Sequence, residues 1–332
     1  MLLQTSIHTD ASIFEELQQE WLDLLNRSIT NFVFQTPQFL SAWWKTLGEG
    51  ELQIITLRDE EGTLVGLAPL YLHKNSENKN ELCFVGCVNV SDYLDMLIDQ
   101  KYQLEGYAKL EEVLTAELND WQAMYLCSLP EDSPTREWLK KIFVSAKEIQ
   151  QDVSPQIVLP QSWELYLARI DRKQRHEVKR KMRRVEEVDH QYEVITEEAD
   201  AKAALPEFIE LHKKSSAEKR DFWDESHLQF FAEFIPAAAK AGWLKLYFLK
   251  IENVRTAAML VFDYNDQYLL YNSGFDQAAF KHLSTGNVLT AYTIQKAIEE
   301  KKTVYDFLRG NEEYKFRFGA VAKPVYDIVI KK

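Results

Sequence analysis

The hydrophobic pattern of the chain switches between two periods. Phe14, Leu17, Trp21, Leu24 and Leu25 recur at helical spacing, which predicts a helix over 14–25. Thr36 followed by Pro37 predicts an N-cap and a first helical residue, with Phe39, Leu40, Trp43 and Trp44 continuing the helix. The period then drops to two. LQIITLRD and TLVGLAPLYL, joined by Glu60-Glu61-Gly62, read as a β-hairpin. ELCFVGC (81–87) and AMYLCSL (123–129) read as further strands, either side of an acidic helix over 107–118.

The second half repeats part of this order. Leu228, Phe231 and Phe234 mark one face of a helix from Asp224, and Gly242-Trp243 leads into the strand LKLYFLKI. Turns at Glu252-Asn253 and Asn265-Asp266 separate it from TAAMLVFDY and QYLLYNSGF. The hairpin LKLYFLKIENVRTAAMLVFDY lies over LQIITLRDEEGTLVGLAPLYL about 190 residues earlier, which suggests two copies of a related domain. A polar loop over 276–284 follows. Gly286 then opens a helix carrying Val288, Ala291, Ile294 and Ile298 and ending at Lys301-Lys302. The strand TVYDFL, the break Arg309-Gly310, a short helix around EEYKFRF and the strand PVYDIVI complete the chain. The expectation is an α/β (α+β) protein of two domains, 1–160 and 161–332, each a mixed, mostly antiparallel sheet flanked by helices.

A length of 332 residues suits two domains. The formal charge of −13 is uneven: residues 1–160 hold 11 Lys/Arg against 25 Asp/Glu, and residues 161–332 hold 28 against 27. Any anionic cofactor is therefore expected in the second half. The 11 glycines build neither GxxxxGK nor GxGxxG, so the P-loop and dinucleotide fingerprints are excluded. Cys83, Cys87 and Cys127 form no CxxC pair and the seven histidines no HxxxH, so no metal is expected; the cysteines read as buried thiols in a reducing cytoplasm. The N-terminal residues lack an apolar run fit for a signal or a membrane span, and the protein is expected to be cytoplasmic.

Three segments carry candidate chemistry. If the turn His282, Leu283, Ser284, Thr285, Gly286, Asn287, Val288 caps the following helix, its free amides form an anion cradle at the positive end of the dipole. The alternative is an ordinary Ser284 or Thr285 N-cap. In Asp306–Gly319, Asp306 and Arg309 come off a strand end beside Tyr314, Lys315 and Arg317 on one helical turn, so a phenol and two cations stand ready to protonate a leaving group or hold an anion. A structural ion-pair network of Asp306, Glu312, Glu313 and the same cations is the competing reading. Third, Arg169–Arg184 carries nine Lys/Arg around a helix with a thin strip of Val178, Met182 and Val185, which reads as a solvated helix or as a dock for a polyanion such as tRNA. The tryptophans read mainly as core, with Trp44 and Trp223 the candidates for lining a cleft.

The runs HLSTGNVLTAYTIQKAIEEKKTVYDFLRGNEEYKFRFGA, YLLYNSGFD and GWLKLYFLKIENVRTAAMLVFDYN, with NFVFQTPQFL, SAWWKTLG and SPQIVLPQSWELYLARIDRKQRHEVKRKMRRVEE, resemble the GNAT superfamily of N-acyltransferases. Within it they resemble the two-domain CelD-like (cellulose-biosynthesis-associated) branch, related to the Fem-type aminoacyltransferases. The resemblance implies two tandem GNAT-like domains, the first diverged, with an acyl-CoA co-substrate (acetyl-CoA included) on the 282–288 turn. Val288 stands there where the family has a final small residue. It implies that Tyr314 protonates the departing CoA thiolate. Asp306, Arg309 and Tyr314 are the catalytic candidates, and Tyr271, Asn272, Ser273, Lys315, Arg317 and Trp223 the substrate-binding ones. A strand splayed at YNSGF would offer amides to the thioester oxygen. The expected reaction is acyl transfer to an amine of a sugar, amino acid or peptide. Alternatives are a Fem-like use of aminoacyl-tRNA through Arg169–Arg184 and a non-catalytic scaffold in polysaccharide biosynthesis.

Overall fold

The computed structural model describes residues 3–87, 90–118 and 120–332. They divide into two units, Met1–Asp152 with Pro324–Lys332, and Val153–Lys323.

The first unit contains β1 (Gln4–His8), α1 (Ile13–Glu16), α2 (Gln18–Leu25), α3 (Pro37–Leu47), β2 (Glu51–Arg58), β3 (Leu64–Lys74), β4 (Asn80–Phe84), β5 (Leu97–Ile98), α4 (Gln103–Glu112), β6 (Ala123–Pro130) and α5 (Pro134–Ile142). β7 (Lys147–Val158) crosses into the second unit. There follow α6 (Trp163–Arg169), α7 (Arg172–Glu186), β8 (His190–Ile195), α8 (Glu198–Ser215), α9 (Ala217–Asp221), α10 (Glu225–Lys240), β9 (Leu244–Ile251), β10 (Val254–Tyr264), β11 (Gln267–Phe275), α11 (Thr285–Glu299), β12 (Val304–Asp306), α12 (Glu313–Arg317) and β13 (Val321–Lys331).

The same pairing rule builds each sheet. β1-β2-β3-β4 are antiparallel neighbours, β4 pairs β6 in parallel, and β6 pairs β13 antiparallel. β8-β9-β10-β11 are likewise antiparallel, β11 pairs β12 in parallel, and β12 pairs β7 antiparallel. The last strand of each series is thus exchanged: β13, which follows the second unit in sequence, closes the first sheet, and β7 closes the second. The first unit accordingly takes in residues 324–332 as well as those up to Asp152, because backbone pairing, not chain order, decides which strands share a sheet.

Local signals hold where they are local. Thr36 Oγ1 accepts from the Phe39 amide at 3.3 Å with Pro37 at the first helical position, as the N-cap reading expects. The expected helix over 107–118 begins earlier, at Gln103, and ends in a wide turn over Val113–Glu117. One expectation about the thiols is corrected. Cys87 and Cys127 form a disulfide with Cα atoms 5.8 Å apart, because the parallel β4–β6 pairing brings the chain after Phe84 beside β6, and Cys83 alone is free.

Two apolar layers cover the second sheet. Ala257, Met259 and Val261 of β10 face a core shared with Val288, Leu289, Ile294 and Ile298 of α11 and Val178 and Val185 of α7. The alternate residue Phe262 turns the other way and meets Phe234 of α10 edge-on at 5.4 Å. Among the described residues no helix is long and apolar enough to cross a membrane.

Candidate active site

The site begins where β11 parts from β12. Their parallel pairing covers only Gln267–Leu269 against Val304–Asp306. Beyond it the chain after β12 follows β7 instead: the Phe307 amide donates to Pro155 O and the Gly310 amide to Val153 O, both at 2.9 Å. Leu308 and Gly310 take positive φ (55° and 117°) to make this departure. Opposite, the β10–β11 register slips between Leu260–Asn272 and Val261–Leu270, leaving Tyr271 as a bulged residue that bends the strand. Asn272–Phe275 therefore pair with β10 on one side and open a cleft on the other.

The cleft encloses ≈ 420 Å³. Tyr314 of α12 enters it, its hydroxyl hydrogen-bonded to the Ser273 side chain. Burial and the neighbouring Glu312 carboxylate raise its pKa, so the phenol keeps its proton throughout the physiological range. Lys219 of α9 donates from Nζ to Ser273 O, with Ser273 Oγ at 3.5 Å. Desolvation lowers its pKa to about 8, against the opposing pull of Glu312, and Lys315 lowers it further.

The opposite wall is the start of α11. Ser284 stands at the N-cap position with φ 54° and its side chain makes no capping bond, so the Ser284 and Thr285 N-cap alternative is not what the fold uses. Thr285, Gly286 and Asn287 line the cleft together with Lys281. A Cβ on Gly286 would stand 3.0 Å from the Phe275 ring, so the glycine lets that ring lie against the helix start. The first-turn amides of a helix have no intrahelical acceptor, and an anion satisfies them. His282 is exposed beside this turn, whereas the Leu283 and Val288 side chains are core.

Beneath the cleft, β11 rests on α8. A Cβ on Gly274 would stand 2.4 Å from the His212 backbone nitrogen, a spacing only glycine permits. Trp223 Nε1 donates to His212 Nδ1 at 2.9 Å, which fixes the proton on Nε2, and that nitrogen donates to Asn272 Oδ1 at 3.1 Å. Desolvation lowers the His212 pKa to about 3.

The sequence candidates divide accordingly. Tyr314, Ser273, Ser284, Thr285, Gly286 and Asn287 come together around one cleft. Asp306 does not join them. It is fully buried, with Oδ2 accepting from Gln156 and Oδ1 from the Leu308 amide, so it shapes the turn and has no access to a substrate proton. Lys315 is 3% exposed, and its ammonium is occupied by the Leu308, Arg309 and Gly310 carbonyls and Glu312; it fastens the turn and offers a substrate nothing. Arg309 lies in that turn and outside the cleft lining. Trp223 is buried behind the cleft as the partner of His212, and Tyr271 stacks on Phe231 and lies tilted against Phe262. Arg317 pairs with Glu313 at 2.7 Å and faces a second pocket of ≈ 380 Å³ with Lys173 and Lys181 of α7 and with Asn287. Lys219 and His212 were invisible to sequence reasoning.

Residues 172–316 match the family model described as "Acetyltransferase (GNAT) domain". The second unit carries a GNAT acetyltransferase domain. That match supports an acyltransferase activity for this unit. Compared by sequence with curated proteins, the chain matches none. Solved structures share its fold. FemX superposes with a TM-score of 0.70 at 13% identity, covering 100% of this chain and 98% of that one. The C-terminal DUF2156 domain of a putative lysylphosphatidylglycerol synthetase from Agrobacterium fabrum gives 0.58 at 10% identity over 95% and 92%. A tandem GNAT protein from the clavulanic acid biosynthesis pathway gives 0.51 at 12% identity over 98% and 98%. The expected mixed α/β architecture with tandem GNAT-like relatives is the observed one.

Proposed function

We propose that this GNAT domain transfers an acyl group from acyl-CoA to an amine of a sugar, amino acid or peptide by direct attack. The observation that carries the reading is the convergence of an uncapped helix start, an unpaired strand edge and a protonated phenol on one cleft. The amides of Thr285–Asn287 suit the donor's pyrophosphate, and the edge of Asn272–Phe275 that pairs with no strand, where Lys219 holds Ser273 O and Ser215 Oγ takes the Phe275 amide, suits its amide-bearing arm and thioester oxygen. The amine nitrogen bonds to the thioester carbon as the C–S bond breaks. Lys219, deprotonated near pH 8, takes up the amine's proton, and Tyr314 gives its own to the departing sulfur. The resemblance to the CelD-like branch fits this reading, with the first unit as a diverged copy. Calorimetric titration with acetyl-CoA, longer acyl-CoAs and free CoA tests it: saturable binding lost in Gly286→Val is expected, and no binding by any of the three removes the acyl-CoA reading.

A second reading is favoured by the pocket of Lys173, Lys181 and Arg317 beside the same helix start. It suits the phosphates of a polyanion, and FemX superposes over the whole chain. An aminoacyl-tRNA donor predicts a salt-sensitive complex with tRNA, abolished by Lys181→Glu.

A further inference from the structure

The first unit gathers three metal-ligating side chains that its acyltransferase relationship does not use. His73 on β3 lies directly opposite Glu81 on β4, and Cys83, two residues on, shares the Glu81 face because strand side chains alternate. His73 Nε2 stands 3.6 Å from Cys83 Sγ and 3.6 Å from Glu81 Oε2, and Sγ stands 4.0 Å from the same Oε2. A tetrahedral zinc ion, with bonds of about 2.3 Å to sulfur and about 2.0–2.1 Å to nitrogen and oxygen, spaces its donor atoms by roughly 3.3–3.6 Å. The observed triangle needs to contract by only a few tenths of an ångström.

The surroundings also suit a metal. Glu81 Oε1 accepts from Asn75 Nδ2 at 3.1 Å, which leaves Oε2 turned towards the other two donors. His73 Nδ1 is buried and without an aligned hydrogen bond, yet Glu49 Oε1 is 3.2 Å away. That is the carboxylate a metal-bound imidazole uses to hold its second nitrogen. The Tyr71 hydroxyl and the Tyr125 amide hydrogen-bond to the Cys83 sulfur and fix its position. The His73 ring is further held against Tyr71, with centroids 5.3 Å apart. An ordinary histidine–carboxylate pair needs neither a thiol at the same distance nor a second carboxylate behind the ring.

We infer that His73 Nε2, Glu81 Oε2 and Cys83 Sγ bind one divalent ion of the zinc class, with a fourth position for water. On binding, the metal–sulfur bond forms, the thiol proton leaves to solvent, and no oxidation state changes. A thiolate with an imidazole and a carboxylate selects zinc or cobalt over magnesium or calcium. The ion would tie β3 to β4 just before the turn that joins them.

Cobalt(II) is the probe. The full chain, stripped with a chelator, is titrated with Co²⁺ and then with Zn²⁺. The expected result is one Co²⁺ per chain with a thiolate-to-cobalt charge-transfer band and tetrahedral d–d bands, displaced by Zn²⁺. Cys83→Ser abolishes the charge-transfer band. Glu49→Gln, at an exposed side chain that touches no metal, keeps the band and weakens affinity about 10- to 100-fold. Absence of a thiolate charge-transfer band on the unmodified chain overturns the inference without recourse to any variant. So does its survival in Cys83→Ser.

Discussion

Acid should loosen the active-site strand through one buried imidazole. His212 is neutral in the fold, accepting from Trp223 and donating to Asn272 Oδ1, and its pKa falls from 6.5 to about 3 through desolvation. An unfolded chain takes up that proton near pH 6.5, so between pH 6.5 and 3 the unfolded state holds the extra proton and stability falls as pH falls. Each pKa unit is worth about 1.4 kcal/mol, so the full shift is of order 5 kcal/mol, reached only near pH 3. Carboxylates titrate in the same window, so the comparison must isolate the ring. His212→Gln keeps an acceptor for Trp223 and a donor for Asn272 but cannot be protonated. Urea unfolding of both chains, followed by tryptophan fluorescence between pH 7 and 4, should give a wild-type slope steeper by about 1.4 kcal/mol per pH unit below pH 6. Histidine-labelled NMR of the folded protein should show one ring with no titration down to pH 4. Equal slopes in the two chains, or a His212 ring titrating near 6.5, refute the reasoning.

Other outcomes follow from the same geometry. Tyr314→Phe should lower kcat about 100-fold or more with KM little changed, read from steady-state kinetics, since it removes only a proton needed at the departing sulfur. Under the proposed mechanism kcat/KM should rise with pH and level off above about 8, because Lys219 accepts a proton only when neutral; Lys219→Arg should abolish that limb. Gly274→Ala should cost about 2–4 kcal/mol in denaturant unfolding, since its Cβ meets the His212 backbone and no side chain can yield. Lys315→Met should destabilise the 308–310 turn, seen as a lower Tm, and not merely weaken substrate binding, because three carbonyls lose their donor.

The sequence made legible what adjacent residues decide. The Thr36-Pro37 cap, the two hairpins, the start of α11 at Thr285-Gly286 and the position of Tyr314 on a short helix depend on spacing or on one turn. For Asp306 and Lys315 the sequence leaves a catalytic or binding role and a structural one open, for a common reason. Charged residues are exposed by default, and nothing in YDFLRGNEEYK says that the chain after Asp306 bonds along β7 and encloses both. Lys219 and His212 left no signal at all: one sits in a polar run, the other at a helix position whose neighbour, Asn272, is 60 residues away. The disulfide and the His73–Glu81–Cys83 cluster share that limitation. Cross-strand register brings those side chains together, and register is invisible in a list of spacings.

The exchange of β7 and β13 has a consequence for the order in which the chain can fold. During synthesis β6 emerges long before β13, with all of the second unit between them, so one edge of the first sheet stays unpaired until β13 has been made. An unpaired edge is a template for pairing with other chains. The first unit is thus committed late, and a chain cut anywhere between 153 and 323 would leave that edge open. The pairing of β13 with β6 in this sense makes the folding of the first unit wait on the second.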